Sequence, residues 1–280
     1  MTDRVPEVFV MGQPVESGPQ LSPPVGLELI DHLDMPVHDH PKTVSGWRGR
    51  RSRDWDRGRE NGAMRAPIIR AAELAAERPA GWINDEHFPV SLAAFVIETY
   101  SEPGDRVLDP FAGSGTTLAV AQRLGREAVG VELLADRVAT ARARVADPSW
   151  VIHGSALDLD QLALGTFQLC LTSPPYMNAV DHPQNPLTGY QTLDGDYRRY
   201  VDQLGDAFAM IARHLTPTGA LVLNVANIQT GTTVTPVADD LVAAAERFFT
   251  VRERIPLTWD QPPTWLIDDR LVVLDPIGKG

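Results

Sequence analysis

The chain has 280 residues, 43% of them hydrophobic and 22% charged, with a net charge of −12, a balance ordinary for a soluble globular protein of one large or two small domains. It holds no long uncharged apolar run and does not open on a signal-peptide pattern, so a membrane span is excluded and a cytoplasmic protein is the default expectation. A single cysteine, Cys170, excludes an internal disulfide framework and a cysteine-rich zinc site.

Residues 1 to 64 read as a partly ordered Pro/Arg-rich arm. Pro6, Pro14, Pro19, Pro23, Pro24, Pro36 and Pro41 interrupt any regular element. His32, His38 and His40 lie among Asp31, Asp34 and Asp39, but no helix-spaced His pair or Cys partner makes them a metal site, and no metal is expected. Trp47 to Arg59 is the one concentrated basic segment, with six arginines, two tryptophans and two acids. Arg50, Arg51 and Arg53 there have the chemistry to bridge phosphates, and Trp55 to stack on a base; a solvated Arg-rich linker accounts for the same residues equally well.

The folded domain is expected over 65 to 280. Pro67 to Arg78 and Val90 to Tyr100 read as helices. A short strand, Val107–Leu108, runs into Asp109 and a loop carrying Gly113 and Gly115, and a helix starts near Thr116. Strand, glycine turn and helix open a nucleotide-binding βαβ unit, with glycine where a ligand must approach the backbone. A second strand, Glu127 to Val131, ends in Glu132, an acid placed to accept from a ribose. After a helix over Asp136 to Val145, strands follow at Trp150 to His153 and Phe167 to Leu171, the latter running into Thr172-Ser173-Pro174-Pro175-Tyr176. Cys170 falls inside that apolar strand, where a buried hydrophobic role suits it. Met177 to Tyr200 is too long and polar for a tight connection and reads as a lid or substrate loop, with a plain surface loop as the competitor. Then come a helix over Tyr197 to Leu215, a turn at Thr216 to Gly219, a strand over Ala220 to Val225, a helix over Val237 to Phe248, and strands at Val251 to Trp259 and Arg270 to Leu274.

D-P-F-A-G-S-G-T-T followed by T-S-P-P-Y resembles the S-adenosylmethionine-dependent amino-methyltransferases of DNA, which methylate the exocyclic amine of cytosine or adenine. With their flanks the two motifs cover roughly residues 82 to 227. The resemblance implies an α/β class I (Rossmann-like) methyltransferase fold, a seven-stranded mostly parallel sheet with a terminal antiparallel hairpin. It implies that Asp109, Phe111, Gly113, Gly115 and Thr116 hold the methionine part of S-adenosylmethionine, with His87 of an H-x-F-P-like segment helping. Glu132 and Leu133 would take the ribose, and Ser155 and Ala156 would lie near the adenine. Many members carry an acid where this chain has Ser155, with Asp158 three residues on.

The same resemblance makes Ser173 and the Pro174 carbonyl acceptors for the amine hydrogens, with Pro174 and Pro175 stiffening the turn and Tyr176 stacking on the base. An amine conjugated into a heterocycle is a poor nucleophile, so catalysis would rest on positioning rather than on a strong base. A duplex base must be flipped out or presented on a single strand. Serine at the first position leans toward cytosine. Asn178 is placed to approach the base and Arg198 the backbone. No separate recognition domain fits between the motifs, so sequence recognition is left to the arm, the 177–200 loop or a specificity partner. RNA as the substrate, and a non-catalytic DNA- or partner-binding subunit, stay open beside DNA; a nicotinamide dehydrogenase is the weaker rival, since S-P-P-Y has no job there.

Overall fold

A computed structural model describes residues 59–60, 63–64, 66–79, 87–179 and 183–278. Arg50, Arg51, Arg53 and Trp55 lie outside them. The described residues all fall in one compact unit, Asp54–Gly280.

Eight strands form one sheet. The parallel part consists of β1 (Arg106–Asp109), β2 (Glu127–Glu132), β3 (Val151–His153), β4 (Phe167–Thr172) and β5 (Leu215–Thr230). The rest consists of β6 (Thr233–Thr235), β7 (Phe249–Pro256) and β8 (Leu266–Pro276). The spatial order is β3-β2-β1-β4-β5-β8-β7, with β6 hairpinned onto the end of β5. Strands β3 to β5 along that path pair in parallel, and β8 pairs antiparallel with both β5 and β7. The expected seven strands and terminal hairpin are thus present, and the count is corrected to eight. The extra strand arises because β5 runs past Val225 to Thr230 and turns back at Gly231.

The parallel strands read as continuous apolar runs because both sheet faces are covered. Helices α1 (Ala71–Glu77), α2 (Val90–Tyr100), α3 (Thr116–Arg123) and α4 (Ala135–Arg144) contribute to one core, with Leu92, Val96, Leu118 and Val138 buried against Val107, Leu169 and Val222. Helices α5 (Tyr197–His214) and α6 (Val237–Ala245) cover the opposite core, around Phe167, Cys170, Leu221 and Leu223. On α5 the buried stripe Tyr200, Leu204, Phe208 and Ile211 follows the helical period. Asp196 caps the start of α5 by accepting from the Arg199 amide at 3.1 Å.

Among the boundaries that differ from the sequence expectation, two follow from strand pairing. The helix expected from Pro67 begins only at Ala71, because 66–70 run extended and Ile69 exchanges backbone hydrogen bonds with Thr258 and Asp260. The turn expected at Thr216 to Gly219 lies within β5 as an excursion. Phe167 faces Leu215 and Leu169 faces Ala220, so five residue steps on β5 match two on β4. Among the described residues no helix is long and apolar enough to cross a membrane.

Candidate active site

The site forms at the carboxyl edge of β1, β2 and β4, where open α/β sheets bind ligands. β1 ends in Asp109, which is 3% exposed. One carboxylate oxygen accepts from the Phe111 amide at 3.1 Å and from the Thr172 hydroxyl at 2.8 Å; the other accepts from the Thr117 hydroxyl at 2.6 Å. Asp109 therefore ties β1 to the first turn of α3 and to the last residue of β4. Burial pushes its carboxyl up to about 6, with those three donors and the Glu132 charge as smaller influences.

Glu132 ends β2 and is also buried. Its two oxygens accept from the Gly113 and Leu134 amides, each at 2.8 Å. Burial raises its pKa, opposed by the amide donors and the Arg137 charge. The glycine loop is thus laced to its neighbours: Phe111 to Asp109, Ala112 to the Val131 carbonyl, Gly113 to Glu132, and Gly115 to the Ala112 carbonyl. Ser114 is held from α4, where Arg144 donates to its hydroxyl at 2.8 Å and its carbonyl at 3.0 Å; the same guanidinium lies 3.3 Å from the Thr116 hydroxyl.

The two loop glycines serve different ends. Both have positive φ, +53° at Gly113 and +83° at Gly115. A Cβ at Gly113 would meet open space, whereas one at Gly115 would stand 3.0 Å from Ala141 Cβ on α4. Gly115 is required by helix packing.

S-P-P-Y leaves β4 at Thr172, so the Thr172–Asp109 bond joins the glycine loop directly to this turn. Ser173, Pro175 and Tyr176 are half-buried and Pro174 is buried. Burial, with Asp269 nearby, raises the Tyr176 phenol against hydrogen bonds from the Ser173 hydroxyl and the Ala226 amide. From α5, Tyr200 donates to the Pro175 carbonyl at 2.8 Å. Asp269 accepts from Asn224 at 2.9 Å and from the Trp259 indole at 2.8 Å. It lies in a β8 bulge opposite Ala226, next to Asp268 at φ +53°. A pocket of about 380 Å³ opens beside it, lined in part by Pro256, Leu257, Trp259 and Pro262. Another concavity, about 250 Å³, lies at the opposite edge around Arg106 and Glu127 and shares no residue with either motif.

Leu133 and Ser155 are half-buried at the ends of β2 and β3, and Ala156 is buried. The Ser155 hydroxyl caps a 3-10 turn by accepting from the Leu157 amide at 3.1 Å. His87 and Phe88 precede α2, half-buried, and α2 packs on α3. Asn178 follows the turn, half-buried, and Arg198 is exposed on the first turn of α5. The 183–195 part of the long loop is built around Asn185, 2% exposed, which accepts from the Leu187 amide at 2.9 Å and donates to Gln203 at 3.3 Å. Gly189 in that loop packs on Leu134, where an added Cβ would stand 2.8 Å from a leucine methyl.

Sequence reasoning passed over Thr117, Thr172 and Tyr200. The two threonines abut the recognised motifs, and a hydroxyl beside a buried acid is a usable signal. Tyr200 is part of an ordinary amphipathic stripe, and only its polar end distinguishes it.

Residues 67–143 match the family model described as DNA methylase. Two curated relatives are similar over shorter stretches. The type II methyltransferase M.SmaI of Serratia marcescens is 47% identical over 58 residues, 21% of this chain and 20% of that protein. The type II methyltransferase M.HinfI of Haemophilus influenzae is 57% identical over 44 residues, 16% of this chain and 12% of that protein. Among solved structures, TrmN from Thermus thermophilus superposes with a TM-score of 0.50 at 21% identity, covering 68% of this chain and 49% of that one, a likeness of fold. The architecture is that of the class I methyltransferases, and over the segment running from α1 through the glycine loop to α4 the chain is similar to the DNA methylase family.

Proposed function

We propose that this protein transfers a methyl group from S-adenosylmethionine to the exocyclic amine of a DNA base, with cytosine ahead of adenine. The observation that carries the reading is the direct coupling of two sites. A glycine loop closed onto two buried acids is joined, through Thr172 and Asp109, to an S-P-P-Y turn on the adjacent strand.

The residues present fit the cofactor. The amides of Phe111, Ala112, Gly113 and Gly115 are engaged within the protein, so this loop does not present the row of free N–H donors that a pyrophosphate takes. Two acids face the loop instead, which suits a ligand bearing cationic sulfonium and ammonium groups and a ribose with hydroxyl donors. Asp109, Glu132 and the loop backbone would hold it, with Leu133 and Ala156 as apolar contacts. Bound there, S-adenosylmethionine supplies an electrophilic methyl group.

The protein's own part is to hold the acceptor amine in line with that methyl. Ser173 and the Pro174 carbonyl accept the amine hydrogens and draw the nitrogen toward a tetrahedral geometry. Neither proline offers an N–H to compete. The amine loses its proton only after it has become cationic, so no strong base is called for. Tyr176 walls the base site and orients the Ser173 hydroxyl. A flipped or single-stranded nucleotide is the presented form.

The test is transfer of tritium from methyl-labelled S-adenosylmethionine to DNA and to RNA in parallel, with the product digested to nucleosides and a Ser173→Ala, Tyr176→Ala double variant as control. Label in a methylated amine of DNA cytosine or adenine, lost in the variant, supports the reading and names the base. Label in RNA alone moves the substrate to RNA. Absence of cofactor binding sinks the enzyme reading.

A further inference from the structure

We infer that Tyr200, on the second turn of α5, is a positioning residue for the methyl-transfer step: through its hydroxyl it fixes the S-P-P-Y turn on which the acceptor amine is held. The inference rests on the reading of that turn as the base site.

Beyond Thr172 the chain leaves β4 and has no further ladder pairing to β5. Its next residues include two prolines, which carry no amide hydrogen, so the backbone has few donors of its own with which to anchor itself. Its carbonyls need partners from elsewhere. Tyr200 supplies one, donating to the Pro175 carbonyl at 2.8 Å.

The Tyr200 ring is fully buried, away from any open surface. Phenylalanine would fill the same space without the cost of burying a hydroxyl. The hydroxyl is thus specific to its one hydrogen bond, and that bond ends on the catalytic turn. The Pro174 carbonyl, one residue away, is the proposed acceptor for the substrate amine. The Pro175 carbonyl belongs to the next peptide unit, which is joined to that of Pro174 through a φ fixed by the Pro175 ring, so holding one unit restrains the other. Displacing a reacting group by about 1 Å can cost on the order of 100-fold in rate.

Helix α5 is itself well fixed. Tyr197, one turn earlier, donates to Asp240 of α6 at 2.7 Å, and the Tyr197 and Tyr200 rings lie 5.9 Å apart. Tyr197 supplies the control, since it offers a phenolic hydroxyl on the same helix whose bond ends away from the turn.

The experiment compares wild type, Tyr200→Phe and Tyr197→Phe. It measures single-turnover methyl transfer at saturating cofactor and nucleic acid, cofactor affinity by calorimetry, and melting temperature. Tyr200→Phe is expected to lose roughly tenfold or more in the transfer rate while binding S-adenosylmethionine as tightly as wild type. Tyr197→Phe is expected to transfer at the wild-type rate despite a comparable shift in melting temperature. Wild-type transfer by Tyr200→Phe overturns the inference alone, and so do parallel losses of rate and stability in both variants. A wild-type protein that binds cofactor but methylates no nucleic acid overturns this inference together with the reading it rests on.

Discussion

Asp109 is the residue at which stability and the proposed function pull apart most clearly. Its carboxyl is raised from 3.8 to about 6 by burial. A raised acid binds its proton more tightly folded than unfolded, so its contribution to stability is fully present below about pH 3.8 and is lost as pH rises through about 6. The gap corresponds to about 3 kcal/mol carried as a cost at neutral pH. Glu132 is shifted in the same direction. Asp109→Asn keeps an acceptor for Thr172 and Phe111 and lets the Thr117 hydroxyl turn to accept. It should raise the melting temperature at pH 8 and flatten the stability profile between pH 4 and 6, while methyl transfer falls. A variant that melts lower than wild type at pH 8 would show that the charge itself holds the site together. The loop glycines give a paired test by urea unfolding. Gly115→Ala should cost about 2 kcal/mol, from strained φ and the contact with Ala141. Gly113→Asn should cost less than about 1 kcal/mol, because asparagine tolerates positive φ and the space is open. The residues that carry this behaviour were legible unevenly. Asp109, Glu132 and the glycines stand out by type and spacing. Their clamps, Thr117 and Thr172, are ordinary residues whose role exists only once β1, α3 and β4 are adjacent.

At the scale of elements, the ends of α2 and α3 depend on one buried cation. Arg126, just before β2 and 7% exposed, donates to the Ser101 hydroxyl at 3.1 Å and carbonyl at 2.7 Å, and to the Leu124 carbonyl at 2.7 Å. It thereby satisfies carbonyls at the C-termini of two helices, where a cation is also favoured by the helix dipole. Arg126→Met should lower stability by about 3 kcal/mol with an unchanged urea m-value, because the buried acceptors are left unpaired. A loss under about 1 kcal/mol would mean that water replaces the guanidinium. The same scale shows why some boundaries could not be read. Thr216-Pro217-Thr218-Gly219 has turn chemistry, and the chain does make an excursion there, but pairing with β4 resumes on the far side and absorbs it into one strand. From sequence the last strand is expected to begin only at Arg270, after the acids Asp268 and Asp269, yet Leu266 and Ile267 already pair with β5 across a bulge where Asp268 takes positive φ. Pairing partners distant in sequence decide such cases, and local propensity does not see them.

For the whole molecule, net charge −12 sets the terms on which a polyanion can be met. Among the described residues Arg199, Arg213, Arg252, Arg254 and Arg270 pair with Asp194, Asp160, Asp275, Glu246 and Asp239, which leaves them little to offer a phosphate. The six arginines of Trp47 to Arg59 are the remaining concentration. Removing 47–59 should weaken DNA binding and make log K fall less steeply with log salt, by about 0.9 in slope for each phosphate no longer neutralised; an unchanged slope would place the phosphate-binding groups elsewhere. The strand order carries a consequence for how the molecule is made. β8 sits between β5 and β7 although it is translated after both. A ribosome that has reached only residue 256 holds a chain in which β7 has nothing to pair with and the flank of β5 is bare. The nascent domain must therefore pass through a stage with an open strand edge, the form most exposed to misassembly, and it closes only when the stretch through Pro276 clears the exit tunnel.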